Sequence, residues 1–512
     1  MNNSVLYVWL PVSKIYPLGI TYLANYIHLR NPSIQQHILD LSLIPRAERK
    51  KNLRETILSQ NPGIVSFGWR DIQIFSPHEG HDSIKYAFNF YYSWNPIQKV
   101  ISSFHGLKSL HQYYDNIHES LSYIWQVYKE FPNKTRVIGG GAFNVFSEQV
   151  IHKLPEGTIG IVGEGEEALF KIAEGRNYSD ERTVVKRNGL IHTGMQGKPV
   201  DFEEMEINLP YLESIFPQYK HYLDEVIGIQ TKRGCPYECS FCVYPYIEGK
   251  GVRYRKTEFI LKDIQTFHNR WGTRHFWFTD AQFIPGSNSL PPVQELLVGI
   301  LKSGLDITWS GYIRTSLISR EIADLMVKSG LGDLEVAITS GDQAVLNGMK
   351  LGFRLDKLYE GVEHLKEAGY QGKIILNYSL NSPGDTEKSL RVSVESYKKI
   401  VSILGEDRVI PVLFFLGIQP HTDLEAELVE SGYLKRGYNP LSLNPLAVKK
   451  MLYNPAPLNK IIAKACFKAW RQSSLNVTGT KVQEKYADRF LKQAVEKNYG
   501  RAVFAALDQV LP

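Results

Sequence analysis

Gly234-Cys235-Pro236-Tyr237-Glu238-Cys239-Ser240-Phe241-Cys242 places three of the chain's four cysteines within eight residues. Thiolates are the soft donors of iron–sulfur clusters. A Cys-x3-Cys-x2-Cys loop can hold three corners of a [4Fe–4S] cubane and leave the fourth iron for a small ligand. Zinc sites usually read as two separated Cys/His pairs, and the remaining cysteine, Cys466, stands alone far downstream. Four cysteines in 512 residues are too sparse for a disulfide-stapled secreted scaffold. The spacing therefore favours a cluster over structural zinc, with Cys235, Cys239 and Cys242 as the metal ligands.

With the aromatic Phe241 just before its third cysteine, this loop resembles the signature of the radical S-adenosylmethionine (SAM) superfamily. The resemblance implies SAM chelated at the open iron through its amino and carboxylate groups. It also implies cleavage of the sulfonium to a 5′-deoxyadenosyl radical by a cluster electron, and hence an external electron donor of the flavodoxin or ferredoxin type.

Composition bounds the reading. At 512 residues, 43% hydrophobic and 22% charged, the chain is expected to form two to four domains with real cores. No apolar run approaches the ~20 residues of a bilayer span. Met1-Asn2-Asn3-Ser4 lacks the basic and apolar regions of a signal peptide, so a cytoplasmic location is expected. A formal charge of +6 is small for this length and is dispersed, which gives no case for nucleic acid. Lys250, Arg253, Arg255 and Lys256 form a local basic cluster after the cysteines, read either as a solvated loop or as a patch steering an anionic ligand or a reductant.

Over the first 180 residues, apolar runs alternate with helical patterns, the sequence form of a doubly wound α/β domain. Strands are expected near Val5–Pro11, His37–Ser42, Gly63–Trp69, Thr135–Gly139 and Thr158–Val162, with helices at Leu18–Arg30, Asn116–Phe131 and Glu166–Glu174 between them. Ligands on such sheets collect beyond the carboxyl ends of the strands, where the glycines sit. A dinucleotide site is disfavoured, because no Gly-x-Gly-x-x-Gly follows the first strand.

The segments around Pro17-Leu18-Gly19, Ser66, Gly139-Gly140-Gly141 and Gly163-Glu164-Gly165 resemble, in order and spacing, the cobalamin-binding domain that precedes many radical SAM modules. That resemblance implies cobalamin contacts from each of these residues. The Asp-x-His-x-x-Gly motif that supplies a lower cobalt ligand elsewhere is missing, as is common in the radical SAM branch. Arg70 follows the third strand, where the resemblance places residues beneath the lower face of cobalt. A guanidinium has no lone pair to offer, so cobalt would lack a lower ligand and a bound methyl group would be more transferable. Arg70 is therefore the candidate catalytic residue; otherwise it pairs with Asp71 or reaches solvent.

Residues 70–115 interrupt the pattern with an aromatic-rich insertion (Phe75, Tyr86, Phe88, Phe90, Tyr91, Tyr92, Trp94), either a pocket cap or a helical hairpin packed on the sheet. His78-Glu79-Gly80-His81 is not a zinc-protease motif, since its histidines are three apart rather than four.

A linker over 181–224, with Ile207–Pro217 rich in Pro and Leu, precedes resumed β/α alternation over 225–434. Six parallel strands are expected near Val226–Thr231, His275–Thr279, Asp306–Tyr312, Asp333–Ile338, Lys373–Leu380 and Val409–Phe415. They would form a partial (β/α)6 barrel with its site at the strand C-termini. The resemblance to radical SAM enzymes implies SAM contacts from Phe241, Asp280, Arg314, Ser340 and Pro383. It also implies that Gly417–Thr422 closes the domain. One departure is Thr339-Ser340-Gly341, where the cobalamin subgroup usually carries Glu-Ser-Gly; Glu335 or Asp342 would be the compensating acids. Residues 435–512 are expected to form a helical cap, with Leu458–Arg471 and Val482–Ala506 helical and Cys466 either buried or a ligand reaching in from outside the barrel.

Taken together, the resemblances imply a cobalamin-dependent radical SAM methyltransferase. Its expected cofactors are a [4Fe–4S] cluster, SAM and cobalamin, and its expected acceptor is an unactivated or aromatic carbon of a small-molecule or peptide-derived substrate. Thr339 and Arg70 point toward a non-radical scheme of the kind found in the tryptophan C2-methyltransferase subgroup. A cobalamin-dependent oxidase or cyclase of tetrapyrrole type shares the same two domains, and a non-catalytic sensor is the third reading. A methylthiotransferase is disfavoured, because no cysteine precedes Cys235.

Overall fold

The computed structural model describes residues 3–11, 14–70, 90, 93, 95–195, 197–442, 444–473 and 499–511. Asp71, Phe75, His78, His81, Tyr86, Phe88, Tyr91, Tyr92 and Trp94 lie outside the described residues, as does most of the helix expected over Val482–Ala506.

Every residue of β1 (Ser4–Trp9) is buried, as expected of a central parallel strand covered on both faces. Its alternate side chains feed two different cores. Val5, Tyr7 and Trp9 join one apolar cluster, with Ile20 and Ile27 of the helix Leu18–Arg30; Leu6 and Val8 join the other, with residues of the helices Arg46–Gln60 and Pro96–Glu130. This is the doubly wound arrangement. Around β1 lie β2 (Gln35–Asp40), β3 (Ile64–Gly68), β4 (Thr135–Gly139) and β5 (Ile159–Ile161), all parallel, in the order β2-β1-β3-β4-β5. The sheet then continues antiparallel through β6 (Thr183–Arg187) and β7 (Leu190–Thr193), so β7 forms its edge.

The helix Leu209–Ile215, whose N-terminus is capped by the Asn208 side chain accepting from Tyr211 N, carries the chain to the second sheet. There β8 (Ile227–Ile229), β11 (His275–Phe278), β12 (Thr308–Tyr312), β13 (Leu331–Thr339), β14 (Ile374–Ser379) and β15 (Val409–Phe414) pair in parallel in chain order, forming the partial barrel. Between β8 and β11 a short antiparallel pair, β9 (Lys232–Arg233) and β10 (Arg253–Tyr254), brackets the cysteine loop. The helices Leu458–Ser473 and Tyr499–Val510 close the far end. Phe504 of the latter meets Tyr378 edge-on at 5.0 Å and stacks on Tyr397 at 5.2 Å. Among the described residues no helix is long and apolar enough to cross a membrane.

Candidate functional site

The cysteine loop is gripped at its first residue. Gly234 N–H donates to Glu248 Oε2 at 3.2 Å, while its carbonyl accepts from Lys232 Nζ at 3.3 Å. Lys232 is wholly buried, and Asp280, itself 1% exposed, fixes the same corner by accepting from Thr231 N–H and Lys232 N–H. Burial pushes the Asp280 carboxyl up, opposed by the Lys232 ammonium and these hydrogen bonds. Further along, Cys235 N–H reaches Gly249 O, Ser240 N–H reaches Met349 O, and Cys242 N–H turns back to Cys239 O. Cys235 is buried, and Cys239 and Cys242 are half-buried.

Burial raises both the Cys239 and Cys242 thiols, Cys242 to about 12. Thiols in such surroundings are neutral until a metal deprotonates them. Among the described residues no three His, Cys, Asp or Glu side chains converge as a single ion requires. Three thiols on one loop, with soft sulfur donors throughout, are the donor set that would hold three corners of a cubane.

Arg314, 7% exposed, lies over the Tyr237 ring at 3.6 Å and the Phe353 ring at 4.9 Å, and its Nη1 has no hydrogen-bond partner. A buried guanidinium with a spare donor beside the cysteines is suited to a carboxylate. Asp280 is hydrogen-bonded to Thr231 and Lys232, in the segment that leads into the cysteine loop. Ser340 is buried with its hydroxyl 3.4 Å from Ser393 Oγ, Pro383 is half-buried beyond β14, and Phe241 packs partly on the core.

Near the C-terminal end of β13 Ala337 is exposed, and on the next two strands Tyr312 and Trp277 are half-buried in edge-on contact at 5.6 Å. At the rim three residues other than glycine adopt left-handed backbone: Thr339 (φ 66°) ending β13, Asn381 (φ 58°) after β14 and His421 (φ 67°) after β15. For a β-branched residue this conformation is a genuine outlier costing on the order of 1–3 kcal/mol, the kind of strain that collects at functional sites. Thr339 also sits where the β13–β14 register slips, and its buried Oγ1 has no hydrogen-bond partner. Of the two acids that would compensate for its missing carboxylate, Glu335 is buried and accepts from Asn377 Nδ2 at 2.6 Å, whereas Asp342 caps the helix Gln343–Gly348 through Ala344 N.

Facing this rim are the carboxyl ends of the first sheet. Gly163 (φ 88°) has nothing within 4 Å of where a Cβ would stand, and the turn is pinned by Gly163 N–H donating to Asn144 Oδ1 at 2.8 Å. Gly19 also faces open space. The Gly163 turn thus leaves open a cradle that a side chain would fill, of the kind a corrin or its nucleotide tail would need. Gly140 differs. At φ 98° its Cβ would stand 2.5 Å from Trp69 O, and Trp69 is interlocked with this turn through Gly139 O and Ala142 N. The protein's own backbone therefore already requires glycine at position 140, whatever lies beyond the turn. Gly139, Gly141 and Gly165 complete the two turns, Ser66 is buried within β3, and Pro17 precedes the helix whose Leu18 side chain would stand 3.4 Å from a Cβ added at Gly228 of β8. Arg70 stands exposed at the end of β3, where its charge acts on Tyr244, next to the cysteine loop; Tyr244 is raised to about 12, chiefly by burial.

An ionic latch joins the two edges. Arg233, directly before Gly234, donates to Glu166 Oε1 at 2.5 Å, with both side chains under a tenth exposed. Arg253 pairs with Glu164, which also accepts from Val200 N–H. Burial pushes Glu164 up, but the hydrogen bond from Arg253 and the nearby Arg233 outweigh it and hold the carboxyl below its usual range. The Glu164 carboxylate therefore serves the domain junction, and only its backbone remains for a cofactor. The basic cluster divides: Lys250 and Lys256 are exposed and pair at the surface with Glu238 and Glu204, as a solvated loop would, whereas Arg255 is buried against Asp263. Sequence reading missed Arg233, Glu166, Lys232, Glu248 and Tyr244. The one available signal was the Lys-Arg pair abutting the cysteine loop in a strand that must be buried.

Residues 229–396 match the Radical SAM superfamily. The bacteriochlorophyllide d C-12(1)-methyltransferase of Chlorobaculum tepidum is 29% identical over 185 residues, which is 35% of this chain and 38% of that protein. The chain's matches to this methyltransferase and two further curated relatives span 38% to 60% of their length. TsrM from Kitasatospora setae, a radical SAM methyltransferase solved with tryptophan substrate and a SAM analogue bound, superposes with TM-score 0.64 at 19% identity, over 84% of this chain and 76% of that one. OxsB, a cobalamin-dependent SAM radical enzyme solved with aqua-cobalamin and SAM bound, superposes with TM-score 0.65 at 14% identity, over 92% of this chain and 67% of that one. At these identities the likeness is one of fold, and it extends across both domains.

Proposed function

We propose that this chain, which carries a radical SAM domain at residues 229–396, is a cobalamin-dependent methyltransferase moving a methyl group from SAM to an unactivated or aromatic carbon of a small-molecule or peptide-derived substrate. The observation that supports the proposal is the latch, which sets the Gly163 turn of one sheet against the cysteine loop of the other. When bound, the cluster supplies an open iron and an electron, SAM the methyl group, and cobalamin the carrier.

The chain's own residues bind and orient. Cys235, Cys239 and Cys242 hold the cluster; Lys232, Glu248 and Asp280 keep their loop in place. Arg314 offers its unpartnered Nη1 to the SAM carboxylate, and Thr339, Ser340 and Pro383 line the strand ends beside it. Gly19 and Gly163 would leave room for the corrin, and Arg70, which has no lone pair to offer, would stand near it without serving as a metal ligand. Holding the reacting groups in fixed geometry is the protein's main contribution to such a transfer.

The test is anaerobic incubation of reconstituted protein with SAM labelled in its methyl group and extract of a host lacking the gene. Label in a new product one methyl group heavier than its precursor is expected. An unlabelled, oxidised product would replace this reading with the oxidase or cyclase, and failure to bind SAM would leave a sensor.

A further inference from the structure

The edge strand β7 is exposed at every residue and bears apolar side chains at Leu190, 66% exposed, and Ile191, 36% exposed. Its hydrogen-bonding parity follows from one bond. Gly194 N–H donates to Thr183 O at 2.7 Å, so the 183/194 pair is of the hydrogen-bonded type. Since the types alternate along an antiparallel ladder, Val185/His192 and Arg187/Leu190 are bonded, while the amides and carbonyls of Ile191 and Thr193 point away from β6. Those outward groups have no backbone partner among the described residues, because the chain after β7 turns back toward Ser179, through Met195 N–H to its carbonyl, instead of running along the edge. An uncovered, apolar strand edge is a template for one more strand.

Charge selects its occupant. From Arg182 to Val200 the sequence holds Arg182, Lys186, Arg187 and Lys198 and no acidic residue. Arg187 and Lys198 are exposed. A second copy of this hairpin would set like charges against each other, whereas an acidic strand would meet opposite ones. The edge also leads somewhere. Ile161, two residues before Gly163, registers with Thr183, and Thr183 is bonded to Gly194, so the C-terminal end of β7 lies at the same rim of the sheet as the cofactor cradle.

We infer that β7 docks an acidic polypeptide segment in extended conformation, as an added strand running toward the site. This inference stands apart from the identity of the methyl acceptor. The test is fluorescence anisotropy of the full chain with a fluorescein-labelled decapeptide of alternating Glu and Val, against its Lys-Val counterpart. Saturable, salt-weakened binding of the Glu-Val peptide alone is expected. Ile191→Pro should weaken it at least tenfold, because proline removes an outward N–H while leaving every bond to β6 in place. Arg187→Glu with Lys198→Glu should do the same and gives a readout should the proline variant fail to fold. Equal affinity in wild type and both variants would overturn the proposal. So would wild-type dimerisation in sedimentation runs that Ile191→Pro abolishes, which would make the occupant a second copy.

Discussion

Arg233 Nη2 lies 2.5 Å from Glu166 Oε1, joining the strand that leads into the cysteine loop to the helix that follows the Gly163 turn. Neither side chain reaches water, so breaking the pair from one side leaves an uncompensated buried charge. Glu166→Ala should cost about 3–5 kcal/mol, seen as a lowered urea midpoint. Replacing both partners with apolar residues, Arg233→Met with Glu166→Leu, should recover part of the loss. A single variant within 1 kcal/mol of wild type would mean that Glu164 alone satisfies Arg233.

Alanine at any one of Cys235, Cys239 or Cys242 is expected to abolish the visible iron–sulfur absorbance of anaerobically reconstituted protein, together with SAM-dependent turnover. Cys466 is 4% exposed among Ile462, Ala465 and Ala469. Cys466→Ala should retain the cluster and cost only about 1–2 kcal/mol of packing. Iron analysis of the four variants separates these outcomes, and lost iron in the Cys466 variant would assign it a ligand role.

The two glycine turns should respond differently to substitution. Gly163→Ala imposes a strained left-handed alanine costing about 1–2 kcal/mol and fills the cradle, so bound cobalamin should fall while cluster absorbance persists. Gly140→Val, which collides with Trp69 O, should instead yield little folded protein. Cobalamin retained at wild-type stoichiometry in Gly163→Ala would remove that turn from the site.

Arg70→His would place a neutral imidazole where a guanidinium now stands. If Arg70 lies beneath cobalt, the EPR spectrum of bound cob(II)alamin should acquire nitrogen superhyperfine splitting, and methyl transfer should slow. An unchanged spectrum in a folded variant takes Arg70 away from the metal.

Burial pushes the Asp385 carboxyl up to about 6, against hydrogen bonds from Ser389 Oγ and Ser382 N–H. Unfolded, the group titrates near ~3.9, so the folded state holds its proton more tightly. Its stabilising contribution is complete below about pH 4 and is lost as pH rises through 6, an effect of about 3 kcal/mol. Urea midpoints measured on the apoprotein between pH 4 and pH 7 should fall less steeply in Asp385→Asn than in wild type. Identical slopes would show that the carboxyl is better solvated than its position implies.

The strands of both sheets were legible because parallel strands covered on both faces are short apolar runs bounded by turns, and β1 through β5 fall within about two residues of their expected places. The hairpin β6–β7 lay in a stretch read as linker, although Asn188-Gly189, both at positive φ, is a strong two-residue turn signal. The cysteines were legible because a local spacing encodes their chemistry. The latch was not, since Arg233 and Glu166 are 67 residues apart and only the packing of two sheets brings them together. Glu164 shows the same limit, because its place in a glycine turn was readable but its commitment to Arg253 was not.

A single apolar cluster runs from Val5 and Ile161 of the first sheet to Ile227, Phe276 and Leu376 of the second, without a seam between them. Domains that hinge on one another usually meet across modest, more polar interfaces. Here the two halves cannot part like a jaw without exposing core. The distance between the Gly163 cradle and the cysteine loop is thus set at folding, and motion is left to the loops at the strand ends.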